Sequence, residues 1–154
     1  MASTIPNEPD YFDDPEVEAQ WCIDMHAEAE RYLEDEQVPH GAISDWPAFR
    51  LAPHVALFAV ASREQPGWIG LWVVCGDLPT DHLDAASIAS PRAALATFAS
   101  RWQAYCEALR SGAEAAELRI GDLAVRADEV LPMLESRART LEKWAQTDAV
   151  WNGD

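Results

Sequence analysis

The chain has 154 residues, a formal net charge of −16 and 49% hydrophobic residues. That length suits one domain, and the apolar content excludes a disordered acidic tail. The charge excludes broad tracking of nucleic-acid phosphates and adhesion to an anionic membrane, both of which need clustered Lys and Arg.

Residues 1–13 read as an extended acidic arm, pinned by Tyr11 and Phe12 and carrying neither the basic nor the apolar part of a secretory signal. Residues 14–154 read as a single domain. Its first helix is expected from Asp14-Pro15 to about Glu36, with Asp as the N-cap and Pro at the first helical position. Val17, Trp21, Met25, Ala29, Tyr32 and Leu33 share one side at helical spacing, interrupted by Glu18 and Glu28. The charge concentrates here. Residues 1–36 hold 12 acidic side chains against one basic, and the rest of the chain holds 15 against 10. Such a surface is either a solvated helix face or an anionic face for a basic partner.

Gln37 to Pro53 reads as loop, because Pro39, Gly41, Pro47 and Pro53 punctuate it. Two apolar, β-rich runs follow, His54–Ser62 and Gly67–Cys75, joined by Arg-Glu-Gln-Pro-Gly. They predict a central antiparallel hairpin over about 54–76. The second run is apolar on both faces, so both should be covered, and Gly70 inside it suggests a bulge or a close backbone approach. Residues 76–90 leave through a turn, with a weakly signalled third strand near Thr80–Leu83. Ser90-Pro91 opens a second long helix to about Arg110, stopped by Gly112. Leu95, Phe98, Trp102, Tyr105 and Leu109 form its apolar stripe. Residues 116–127 fit either a short strand or a connector. A last helix starts near Asp128, with Val130, Leu131, Leu134, Ala138, Leu141 and Ala145 on its apolar side and Trp144 and Trp151 near a polar end. The expected fold class is α+β: three main helices packed on a small antiparallel sheet of two to four strands.

The stretch leaving the hairpin gathers the candidate chemistry. Asp77, Asp81 and His82 are acid/base candidates, and Cys75 would be a nucleophile with a His in reach. The competing explanation is structural: Asp-Leu-Pro-Thr-Asp is good turn chemistry, and a cysteine in a strand is usually a buried, inert thiol. Cys22 and His26, four apart on the first helix, are the candidate metal pair, although no second pair lies near them. No dinucleotide, P-loop, nucleophile-elbow or zincin motif is present, and no cofactor is implied. Trp46, Phe49, Arg50, Trp68 and Trp72 are the candidate binding residues, since Trp and Arg often anchor interfaces. The three cysteines lack a C-x-x-C pair, which fits reduced thiols in a cytoplasm.

Several strings carry a family resemblance. They are Trp21-Cys22, Asp45-Trp-Pro-Ala48, Ala52-Pro-His-Val-Ala56, the long run from Pro66 to Asp81 ending in G-D-L-P-T-D, and Ser90 to Ala99. Over roughly residues 17–110 the chain resembles a small bacterial family catalogued as domain of unknown function 4826. The resemblance implies a bacterial cytoplasmic protein and makes G-D-L-P-T-D a family hallmark; it brings no established activity. Two functions are therefore expected in competition. One is a non-enzymatic binding or regulatory domain, in the manner of an immunity protein or inhibitor, whose acidic first helix meets a basic protein. The other is a small hydrolase-like or ligand-binding domain using Asp77, Asp81 and His82. Neither takes nucleic acid or a membrane as partner, and the oligomeric state is left open.

Overall fold

The computed structural model describes the backbone of residues 9–111 and 127–151 and the side chains of 11–111 and 131–151. The elements run α1 (Pro9–Phe12), α2 (Pro15–Asp35), β1 (Phe49–Leu51), β2 (Val55–Ala61), β3 (Ile69–Gly76), β4 (Asp81–Asp84), α3 (Pro91–Arg110), α4 (Ala127–Gln146) and α5 (Asp148–Trp151). The strands form one antiparallel sheet in the order β1-β2-β3-β4. The fold class is α+β, as the sequence predicts.

The starts of α2 and α3 follow their capping chemistry. Asp14 accepts the Glu16 N–H at 2.9 Å and Ser90 accepts the Ala93 N–H at 3.1 Å, each with a proline directly after the cap. α2 ends in a paired-bond motif. The Val38 N–H reaches the Leu33 carbonyl and the Gln37 N–H reaches the Glu34 carbonyl, with Gln37 at φ +57°. That position usually falls to glycine.

The central hairpin is the core of the molecule. Alternation along β2 and β3 sends side chains to two faces. Val55, Leu57, Trp72 and Val74 pack against Leu95, Phe98, Trp102, Leu134, Ala138 and Leu141 of α3 and α4. Ala56, Phe58, Val60, Val73 and Cys75 pack against Ala29, Tyr32 and Leu33 of α2. The sheet is thus sandwiched, with α2 on one side and the α3–α4 pair on the other. Each fully buried Leu, Val or Phe contributes about 1.5–3 kcal/mol, against at most about 1 kcal/mol for an exposed ion pair, so these two clusters set the arrangement. Gly70 is the bulge: Val60 pairs with Leu71 and Ala61 with Ile69, and a Cβ on Gly70 would lie 2.8 Å from Ser62 Cα.

Three local features differ from the sequence reading. Pro9–Phe12 forms a helical turn rather than an extended stretch; Pro9 begins it, where a missing N–H costs nothing, and Tyr11 and Phe12 meet edge to face at 4.9 Å. β1 lies inside the segment read as loop. It is three residues long and flanked by Pro47 and Pro53, too short for periodicity to register. The weakly signalled strand expected near Thr80–Leu83, by contrast, is present as β4, paired along β3 from Leu71–Asp84 to Val74–Asp81. The polar end of the chain turns into α5, whose Trp151 donates its indole N–H to the Trp144 carbonyl at 2.8 Å. The expectations for residues 1–8, for 112–126 and for the Val130 side chain lie outside the described residues.

Candidate functional site

The stretch from Gly76 to His82 fastens all three long helices to the sheet. Gly76 ends β3 at φ +133°, where a Cβ would stand 2.5 Å from the His54 carbonyl oxygen, so only glycine fits without strain. The Asp77 N–H then bonds that same carbonyl at 3.0 Å. Arg137 of α4 donates to Asp77 twice, Nε to the main-chain oxygen at 2.7 Å and a terminal nitrogen to the carboxylate at 3.3 Å. Leu78 packs on the α3–α4 core and Pro79 is buried.

From here alternation decides each partner. Thr80 is buried and its hydroxyl donates to Glu28 of α2 at 2.9 Å. Asp81 pairs with Val74, which puts it on the α3 face. Its Oδ2 accepts from Arg101 Nε and Trp102 Nε1, both at 3.0 Å, and its Oδ1 accepts the His82 N–H at 2.9 Å. His82 pairs with Val73, so its ring turns to the α2 face, where Nδ1 lies 2.7 Å from the Tyr32 hydroxyl. Burial lowers the His82 pKa, Asp81 opposes that shift and Arg101 adds to it. Three consecutive residues thus reach α2, α3 and α2 in turn.

The acid/base candidates are therefore neighbours in sequence but not in space. Asp81 and His82 lie on opposite faces of an edge strand, and Asp77 turns outward to Arg137. Cys75 faces α2, fully buried, with Sγ 3.5 Å from the Met25 carbonyl. Burial, with Glu28 adding to it, pushes its thiol far above the ordinary range, so it carries no thiolate. The histidines are dispersed as well. His26 stands edge-on to Phe58, His40 bonds the Val38 carbonyl and His54 lies near Trp144.

Cys22 of the candidate metal pair is buried, and its thiol pKa is raised by burial, with Arg50 opposing and Glu18 adding. His26, one turn on, leans on Phe58 instead. Among the described residues no group of three or more His, Cys, Asp or Glu side chains is placed to hold a metal ion.

The candidate binding residues divide into four places. Trp72 is buried, its indole N–H on the Ile88 carbonyl at 3.0 Å. Phe49 is stacked under Trp151 at 4.4 Å. Arg50 lies over the Trp46 ring at 5.0 Å while its Nε bonds Glu18 of α2 at 2.7 Å, so Trp46, 44% exposed, and Arg50 form a small surface stack beside α2. Trp68 stands apart at the hairpin tip, 68% exposed, beside Ile69. Both line an open groove of about 1210 Å³ with Leu71, Ile88, His40 and Arg63.

Sequence spacing did not reveal Glu28, Tyr32, Arg101 and Arg137 as partners of this stretch. They lie 20 to 60 residues from the groups they bind. The one available signal was the run of polar residues after a strand apolar on both faces.

No helix among the described residues is long and apolar enough to cross a membrane. No curated protein and no solved structure matches the chain. One family, domain of unknown function 4826, matches residues 16–151, which extends past the resemblance seen in the sequence to take in α4 and α5. This chain's own G-D-L-P-T-D string, within the matched segment, coincides with the junction just described. The chain belongs to the family of domain of unknown function 4826.

Proposed function

We propose that this chain is a non-enzymatic protein-binding or regulatory domain of the bacterial cytoplasm, in which the acidic face of α2 meets a basic protein partner. An immunity protein or inhibitor covering a basic toxin or enzyme is the specific form of this reading. The observation that carries it is the placement of charge. α2 covers its side of the sheet with one face and turns Glu16, Asp24, Glu30, Glu34 and Asp35 outward. Arg31 is the one basic residue in the first 36. An anionic face of this kind speeds encounter with a cationic partner and does so less as salt rises. The Trp46–Arg50 stack on the flank of α2 adds residue types that anchor interfaces.

The competing hydrolase-like reading needs Asp77, Asp81 and His82 to converge on one substrate. Their side chains diverge, and each already has a partner on a different helix. That is why the binding reading is preferred.

The test is retention of proteins from bacterial extract on the immobilised full chain. It is compared with a variant carrying Asp24→Asn, Glu30→Gln, Glu34→Gln and Asp35→Asn. The reading expects a basic protein retained at low salt, released by about 0.5 M salt, where screening lengths fall to a few Å. It also expects the neutralised variant to lose that protein while keeping its circular dichroism. Equal retention by the variant, or no specific retention by either, contradicts it.

A further inference from the structure

His82 joins two layers of the fold through a side-chain hydrogen bond. It sits half-buried on edge strand β4 under α2, with Nδ1 2.7 Å from the hydroxyl of the buried Tyr32. The charged and titratable groups that act on it are Tyr32 and Glu36 from α2, Asp81 from its own strand and Arg101 from α3, while its β3 partner is the apolar Val73. Asp81 and Glu36 favour a cationic ring, whereas burial and the Arg101 guanidinium oppose it. The Asp81 carboxylate is also partly neutralised by its own bond to Arg101. The other ties in this junction carry no imidazole: Asp81 holds α3 and Asp77 holds α4.

We propose that His82 is a proton-controlled latch on α2: neutral, it fastens that helix to the edge strand, and protonated, it loosens the α2 layer while α3 and α4 stay seated. The Thr80–Glu28 bond on the same side limits the response to a local opening rather than unfolding. The folded-state pKa lies below the ordinary value of 6.5, with burial as the main cause. The open state therefore binds the proton more tightly. The α2 contact is fully present above about pH 6.5 and weakens as pH falls through and below that point, until the folded-state ring is itself protonated. This inference is independent of the basic-partner reading, since it concerns how α2 is held and not what it binds.

The experiment is amide hydrogen exchange on the full chain at about pH 7.5 and about pH 5, corrected for the intrinsic exchange rate. It compares Ala29–Leu33 in α2 with Phe98–Trp102 in α3. The latch predicts that α2 protection falls several-fold at the lower pH while α3 protection holds. His82→Gln should make α2 protection independent of pH, which separates His82 from His26, His40 and His54. Parallel loss in α2 and α3, or a His82→Gln chain with the same pH dependence as wild type, overturns the proposal. A direct NMR titration of the wild-type ring decides the matter even if that variant fails to fold. A ring titrating below 6.5 supports the latch and one titrating above it overturns it.

Discussion

Trp102 donates its indole N–H to Oδ2 of Asp81 at 3.0 Å, and neither side chain meets solvent: Trp102 is 0% and Asp81 1% exposed. The same oxygen takes Arg101, and Oδ1 takes the His82 N–H that β4 would otherwise leave unsatisfied. Burying a carboxylate costs several kcal/mol unless donors surround it, and here three do. A general base needs a lone pair aimed at substrate. Both Asp81 oxygens instead point at donors inside the protein, which suits a fastening role. The G-D-L-P-T-D string is then best understood as the place where one strand end holds three helices.

The two hairpin tryptophans should behave oppositely. Trp68→Ala, at an exposed tip, should change stability by no more than about 0.5 kcal/mol. Trp72→Ala, which empties a buried site and leaves the Ile88 carbonyl without its donor, should cost about 3–5 kcal/mol. Urea denaturation of both variants checks this.

The fold was largely legible because its signals are periodic. Val55–Ala61 and Ile69–Gly76 announced the hairpin, Asp14-Pro15 and Ser90-Pro91 announced the helix starts, and Gly70 marked its bulge. β1 was hidden because three residues between prolines carry no period. The junction was legible only as a polar run. Residues 80, 81 and 82 alternate between faces, and a list of adjacent polar residues suggests one site when the pleat sends them to two. The helical period places Trp102 in the core, but no spacing rule locates the partner of its N–H.

The cysteines should be inert in the native state. Cys22, Cys75 and Cys106 are all buried, and burial raises each thiol pKa. Ellman's reagent at about pH 8 should react slowly with the folded chain and fully once denaturant is added. Fast labelling of Cys75 in the native chain would revive its candidacy as a nucleophile.

Two backbone positions with positive φ should respond in opposite senses. Gln37→Gly, at φ +57° behind α2, should gain about 0.5–1 kcal/mol because a left-handed conformation penalises side chains. Gly76→Ala, at φ +133° against the His54 carbonyl, should lose about 1–3 kcal/mol. Thermal melts of the two variants against wild type provide the readout.

Equilibrium urea denaturation of Asp81→Ala tests the fastening role of Asp81 most directly. Removing the carboxylate leaves the buried Trp102 N–H without its acceptor and takes away one ion-pair partner of Arg101, so a loss of about 3–5 kcal/mol is expected. A variant within about 0.5 kcal/mol of wild type would contradict it, because substitutions of that size mark positions outside any fastening network.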